Sequence, residues 1–256
     1  MTVIRIGVVG AGGRMGRTIC AAVAADDALE LVAAVDPHAV GLELCGVTVA
    51  ADLDALVEAQ AEVVIDFTVA DAARVTLPWL AAHGIHAVIG TTGLTEADFD
   101  SFRAAFTTSN AFATSNFAIS AVLMMRFAEL AAPYFETAEI VELHHNGKAD
   151  APSGTAITTA TRMAAASKDW AADTTKHVVF EGARGGEGPG GIHIHSVRLR
   201  GLQAHQEVIL GTSGQSLTIR QDSYDNSSYM PGILLACKRV GSVAGLTVGL
   251  DAYMDL

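Results

Sequence analysis

Residues 139 to 156 read EIVELHHNGKADAPSGTA, a stretch that gathers groups able to move protons and hold anions. His144, His145 and Lys148 fall within five positions of a chain that is otherwise acidic, with 16 Lys plus Arg against 28 Asp plus Glu. In a strand, adjacent His144 and His145 would alternate to opposite faces, so the strand has to end here. Asn146-Gly147 is a turn signal that brings Lys148 back beside both imidazoles. Beyond Pro152, SGTAITTATRMAAAS reads as a helix with Ser153 as its N-cap, which opens the amides of Gly154 and Thr155 toward whatever lies ahead. Two His, one Lys and a helix start make a site for an anion, most simply a carboxylate, with a proton donor beside it. Two other readings of these residues stay open. One is a metal site completed by His193 and His195, which the positive Lys148 would oppose; the other is a solvated surface loop.

A second constellation lies near the start. GVVGAGGRMGRT places glycines at 10, 12, 13 and 16 between an apolar run and a helical one. The plain G-x-G-x-x-G spacing fails because Met15 takes its last position, but Gly10, Gly13 and Gly16 keep the same physics. They provide a tight turn, a bare backbone close to a pyrophosphate, and amides at a helix start facing the anion. Asp36 ends the next strand, where a carboxylate accepts hydrogen bonds from an adenosine ribose. Pro37 follows it, so no arginine adjoins Asp36 to meet a 2′-phosphate, although Arg14 and Arg17 are near in sequence. The expected ligand is therefore a dinucleotide, with NADH at least as acceptable as NADPH. GTTG (Gly90, Thr91, Thr92) and TSNF (Thr114, Ser115, Asn116, Phe117) each follow an apolar strand, and such ends line the ligand crevice of an open parallel sheet, here beside the nicotinamide end.

The elements that must position these groups follow from periodicity. VIRIGVVG, ELVAAVD, AEVVIDFT, IHAVIGTTG and NAFATSNF are short apolar runs alternating with helical stretches, among them AARVTLPWLAAHG, stopped by Gly84, and TEADFDSFRAAF, opened by Thr95 with Asp98. That alternation predicts a Rossmann-like, doubly wound parallel sheet over residues 1–117. From about residue 118 the rhythm changes to a long apolar helix and then to AEIVELHH, HVVFEGARGGEGPGGIHIHSVRL, HQEVILG and QSLTIRQDS. Strands without helices between them predict a second α+β domain with a mostly antiparallel sheet over 118–230.

Composition narrows the class of function. Half the residues are apolar and the formal charge is −12, which suits a folded protein and argues against nucleic-acid partners. No run of about 18 apolar residues and no leader pattern suggests a membrane span or signal, and three scattered cysteines fit a reducing compartment, so the cytoplasm is expected.

The loop ELHHNGKADAPSGTA resembles the signature of the 4-hydroxy-tetrahydrodipicolinate reductase (dihydrodipicolinate reductase) family, and GAGGRMG, VIDFT, GTTG, NFAIS and GLTVGL extend the resemblance over nearly the whole chain. It implies an NAD(P)H-dependent oxidoreductase of lysine and diaminopimelate biosynthesis. Such an enzyme reduces 4-hydroxy-tetrahydrodipicolinate, through the dehydrated cyclic imine, to tetrahydrodipicolinate. It implies His144 as the acid, Lys148 as a second proton donor or carboxylate anchor, and His145, Gly154 and Thr155 as substrate contacts. Cofactor positions fall on Gly10, Ala11, Gly12, Gly13, Arg14, Met15, Asp36, Gly90 to Thr92 and Thr114 to Phe117, with no metal. The resemblance also implies that residues 231–256 return to the first domain and that the second builds a homotetramer. The chain departs from the family at Gln221 and Asn226, where relatives commonly carry His and Arg. A redox sensor that binds NADH without turnover, or another dehydrogenase on this fold, are the alternatives.

Overall fold

The computed structural model describes residues 3–254. The chain divides into two compact units, one made of the residues up to Phe117 with those from Tyr229 onward, the other of Ala118–Ser228.

In the first unit the elements run β1 (Ile4–Val9), α1 (Arg14–Ala24), β2 (Leu29–Val35), β3 (Glu43–Leu44), β4 (Val47–Ala50), α2 (Asp54–Glu58), β5 (Val63–Asp66), α3 (Ala70–Ala82), β6 (His86–Ile89), α4 (Glu96–Ala105) and β7 (Ala111–Ala113). In the second they are α5 (Ile119–Ala131), β8 (Thr137–His144), α6 (Gly154–Ala166), β9 (Gly186–Glu187), β10 (His193–Arg198), β11 (Ala204–Thr212) and β12 (Gln215–Ser223). The chain then adds α7 (Met230–Arg239) and β13 (Leu246–Val248) to the first unit.

The first sheet has the order β13-β7-β6-β5-β1-β2-β4-β3, parallel throughout except for the β3–β4 hairpin. Its central strands are buried on both faces, which is why they read as unbroken apolar runs. Helix α1 packs with α7, and α3 with α4; Leu77 and Phe102 share one apolar cluster with Val64 and Ile89 of the sheet. Gly84, at φ +69°, ends α3, and Thr95 with Asp98 forms a reciprocal capping box on α4. The second sheet has the order β12-β11-β8-β10-β9, antiparallel except between β8 and β10. The side carrying Ile140, Glu142, Val208 and Leu210 is buried beneath α5 and α6.

The structure departs from the sequence reading in two places. HVVF (177–180) is not a strand: Val178, Val179 and Phe180 are exposed, and the strands of this stretch shrink to β9 and β10. β-branched and aromatic residues favour a pleated surface only when another strand packs against them. The span 37–60, which periodicity leaves blank, contains the β3–β4 hairpin, turned by Cys45 and Gly46 at φ +49° and +86°. Two successive positive φ values are the signature of the tight hairpin turn, and cysteine is a rare occupant of it. No helix among the described residues is long and apolar enough to cross a membrane.

Helix α7 passes so close to the segment that follows β7 that a Cβ built on Gly232 would lie 2.1 Å from the Phe117 carbonyl oxygen. Gly232→Ala should therefore cost about 1–3 kcal/mol of stability, as overpacking does. Urea unfolding followed by circular dichroism measures this, and an unchanged midpoint would show that α7 can stand off.

Candidate active site

In the second unit, β8 ends at His144, and the chain turns immediately, with the Lys148 amide donating to the His145 carbonyl at 3.2 Å. His145 is exposed on that turn. Lys148 reaches Asp150 at 2.7 Å, so its ammonium already has a carboxylate partner. Ser153 caps α6 by accepting the Ala156 amide at 3.2 Å, and a Cβ placed on Gly154 would meet open space. The expected acid, cation and helix start are thus brought together within one loop.

Beneath them lies Glu142, whose side chain has no exposed surface. Its carboxylate accepts from Arg198 Nη1 and Nη2, each at 2.8 Å, from the Ser153 amide at 3.1 Å and from His144 Nδ1 at 2.6 Å. Burial pushes Glu142 up, but Arg198, Ser196 and His144 together outweigh it and hold the acid below its ordinary value. For His144 burial is the largest influence and pulls the imidazole down; Glu142 pulls it up, and the positive Lys148 and Arg198 push it down again, leaving it below its ordinary value.

In the first unit, Gly10 adopts φ +79° and Gly13 stands at the N-cap of α1. A Cβ on Gly16 would sit 2.1 Å from the Gly10 carbonyl oxygen, so the helix can lie against the turn only without one. Asp36, buried at the end of β2, accepts the Gly12 amide at 2.9 Å and the His38 amide at 2.9 Å. Arg17 donates through Nε to the Gly12 carbonyl at 2.9 Å; Ala11 is buried, Arg14 exposed and Met15 partly buried at the first turn of α1. Gly90 follows β6, and a Cβ there would strike the Phe67 ring at 2.1 Å. Thr91 is buried, Thr92 exposed, and the Thr114 hydroxyl both accepts the Asn116 amide and donates to the Asn116 carbonyl. Ser115 is exposed and Phe117 buried, its ring 5.6 Å from that of Phe67. All these positions follow the carboxyl ends of β1, β2, β6 and β7.

The dihydrodipicolinate reductase N-terminal family model matches residues 4–117, and the C-terminal one matches 120–254. The chain belongs to the dihydrodipicolinate reductase family. Among relatives named 4-hydroxy-tetrahydrodipicolinate reductase, that of Nocardia farcinica is 48% identical over 99% of both chains. That of Mycolicibacterium smegmatis is 46% identical, covering 99% of this chain and all of its own. A dihydrodipicolinate reductase from a Paenisporosarcina species, solved with dipicolinate bound, superposes with a TM-score of 0.87 at 36% identity, over 98% of this chain and 99% of that one. A family with an N-terminal domain of this kind uses a nicotinamide cofactor, and the bare glycine turn and buried Asp36 fit one.

Within this family framework, Gln221 is buried and donates to Ser223 at 2.7 Å, while Asn226 opens a single turn at Asn226–Tyr229, where the chain rejoins the first unit. His195 pairs with Glu139 at 2.6 Å and His193 lies 3.8 Å from Asp173. Among the described residues no group of three His, Cys, Asp or Glu is arranged to hold a metal.

Sequence reasoning missed Glu142 and Arg198. The first was signalled by its spacing two before His144, which puts both on one strand face; the second lies 56 residues away and has no local signal. It missed Asp66 as well, which ends β5 between the two halves of the glycine-lined edge. Its Oδ1 accepts from the hydroxyls of Thr68 and Thr91, while its buried Oδ2 has no partner among the described residues. Burial raises its carboxyl above the ordinary value against those hydroxyls. A raised folded value means the folded state holds the proton more tightly, so stability falls as pH climbs from the unfolded carboxyl value through the folded one. Asp66→Asn removes that dependence. Urea midpoints measured over that window should shift in favour of the variant as pH rises; a constant difference would show that Asp66 does not titrate there.

Proposed function

We propose that this chain reduces 4-hydroxy-tetrahydrodipicolinate, through the dehydrated cyclic imine, to tetrahydrodipicolinate, the activity that its relatives' names carry. The pairing of His144 with buried Glu142, beside Lys148 and the start of α6, carries the reading. The second unit would hold the substrate. Lys148, released from Asp150, and the amides of Gly154 and Thr155 would take its carboxylates, with His145 alongside. The first unit would hold the nicotinamide cofactor through residues 10–15, Asp36, 90–92 and 114–117. When bound, that group supplies the hydride. Reduction also needs one proton, which His144 would give, with Lys148 as a second donor. A sensor that bound NADH without turnover would need the glycine turn but not this loop.

Asp36 has two carboxylate oxygens near the turn and proline beside it, which suits a free ribose 2′-hydroxyl, so NADH would serve at least as well as NADPH. The side of the second sheet opposite α5 and α6 carries Val141, Leu143, Val197 and Ile209, which supports assembly through it into a homotetramer. Three free cysteines support a reducing, cytoplasmic setting.

Cofactor oxidation in a coupled assay with pyruvate and aspartate semialdehyde tests the reaction, and absence of turnover would overturn it. His144→Ala should lower kcat by about 10²- to 10⁴-fold, as loss of a general acid does, with cofactor affinity intact. Lys148→Ala should raise KM as well, because a cation on the substrate acts in ground and transition states alike. Loss of NADH affinity in either variant would place the loop at the cofactor instead. Asp36→Ala should weaken NADH far more than NADPH, and equal losses in direct titrations would remove Asp36 from the ribose.

A further inference from the structure

Glu142 is more than a buried member of an ion pair. An ionised carboxylate accepts hydrogen bonds only, and Arg198 and the Ser153 amide are donors in every state. Those partners keep Glu142 ionised, so the contact of 2.6 Å with His144 Nδ1 can exist only if that nitrogen carries the hydrogen. The other ring nitrogen, Nε2, is then the atom that gains or loses a proton. Arg198 shares Oε2 with the imidazole, and also donates to the Asp150 carbonyl at 2.6 Å. One carboxylate therefore ties together the end of β8, the end of β10, the loop through Asp150 and the start of α6.

We propose that Glu142 is the positioning residue of this site, fixing His144 in the tautomer protonated on Nδ1 so that Nε2 delivers the proton, and anchoring the first turn of α6 through the Ser153 amide. This rests on the reductase reading above for what the proton is used for, but not for the tautomer itself. A purely structural role would not need the histidine: Arg198, Ser153 and Ser196 already offer the carboxylate enough donors. The charged groups around the imidazole are Glu142, which favours its protonated form, and Lys148 and Arg198, which oppose it. Glu142 is thus the one negative charge in that set favouring protonated His144, and burial with the two cations outweighs it. Arg198 in turn moderates that pull by compensating the same carboxylate.

The test labels the histidines of the full-length protein with nitrogen-15 and follows both ring nitrogens against pH by NMR, with His144→Ala identifying the His144 signals. The neutral ring of the unmodified protein should carry its proton on Nδ1, and a ring found mainly with Nε2 protonated overturns the proposal without any Glu142 variant having to fold. In Glu142→Gln, which keeps the shape and removes the charge, His144 should titrate at lower pH. The decline of kcat with rising pH should move down by the same amount, and kcat near neutrality should fall about 10- to 100-fold, as when the partner orienting a working histidine is lost. The KM should rise by a smaller factor, and Glu142→Asp should recover part of kcat. An unmoved His144 titration, or unchanged kcat in Glu142→Gln, overturns the proposal. If the unmodified protein fails to reduce the imine, the reductase reading falls, while the spectra still decide how Glu142 holds His144.

Discussion

A carboxylate without exposed surface stays ionised only when donors offset its lost hydration, and Glu142 meets that demand by gathering its donors from separate segments of chain. Arg198 brings the end of β10, Ser153 the start of α6, and His144 the end of β8 to the same few ångströms. The desolvation cost of the carboxylate is offset only if all of them arrive. The helix start, the imidazole and the Lys148 turn therefore have one geometry rather than several. A site built from a loop becomes as fixed as the sheet beneath it.

The first unit solves a different problem by a different means. Asp36 holds the Gly12 amide, but what shapes the glycine turn is the absence of side chains. Gly16 allows α1 to lie against Gly10, and Gly90 makes room for the Phe67 ring. Omission of atoms shapes one half of the molecule, and saturation of a single carboxylate shapes the other.

The same contrast explains what could be read from the sequence. Glycine spacing, the Asn146-Gly147 turn and the Ser153 cap are short-range signals, and each appears where the residues indicate. Parallel strands buried on both faces read as apolar runs, so β1, β2, β5, β6 and β7 were legible, whereas the short edge strands β3, β4 and β13 were not. Arg198 was not, because strand pairing alone brings it beside Glu142, and no local pattern encodes that pairing. Asp66 hides for a like reason: its partner Thr91 belongs to the neighbouring strand end. Val178, Val179 and Phe180 misled in the opposite direction, since their composition suits a strand for which the fold provides no neighbour.

The return of the chain to the first unit has a consequence for synthesis. β13 pairs with the outer edge of β7, and α7 packs on α1, yet both are translated only after the whole second unit has been made. Until then the emerging first sheet has β7 as an open edge, with the apolar surface that α7 will cover facing solvent. Unpaired edges and uncovered apolar faces are the features that draw chaperones and promote aggregation in partly made chains. The second unit, contiguous in sequence, is under no such delay, so vectorial synthesis completes the later-made unit before the one that began first.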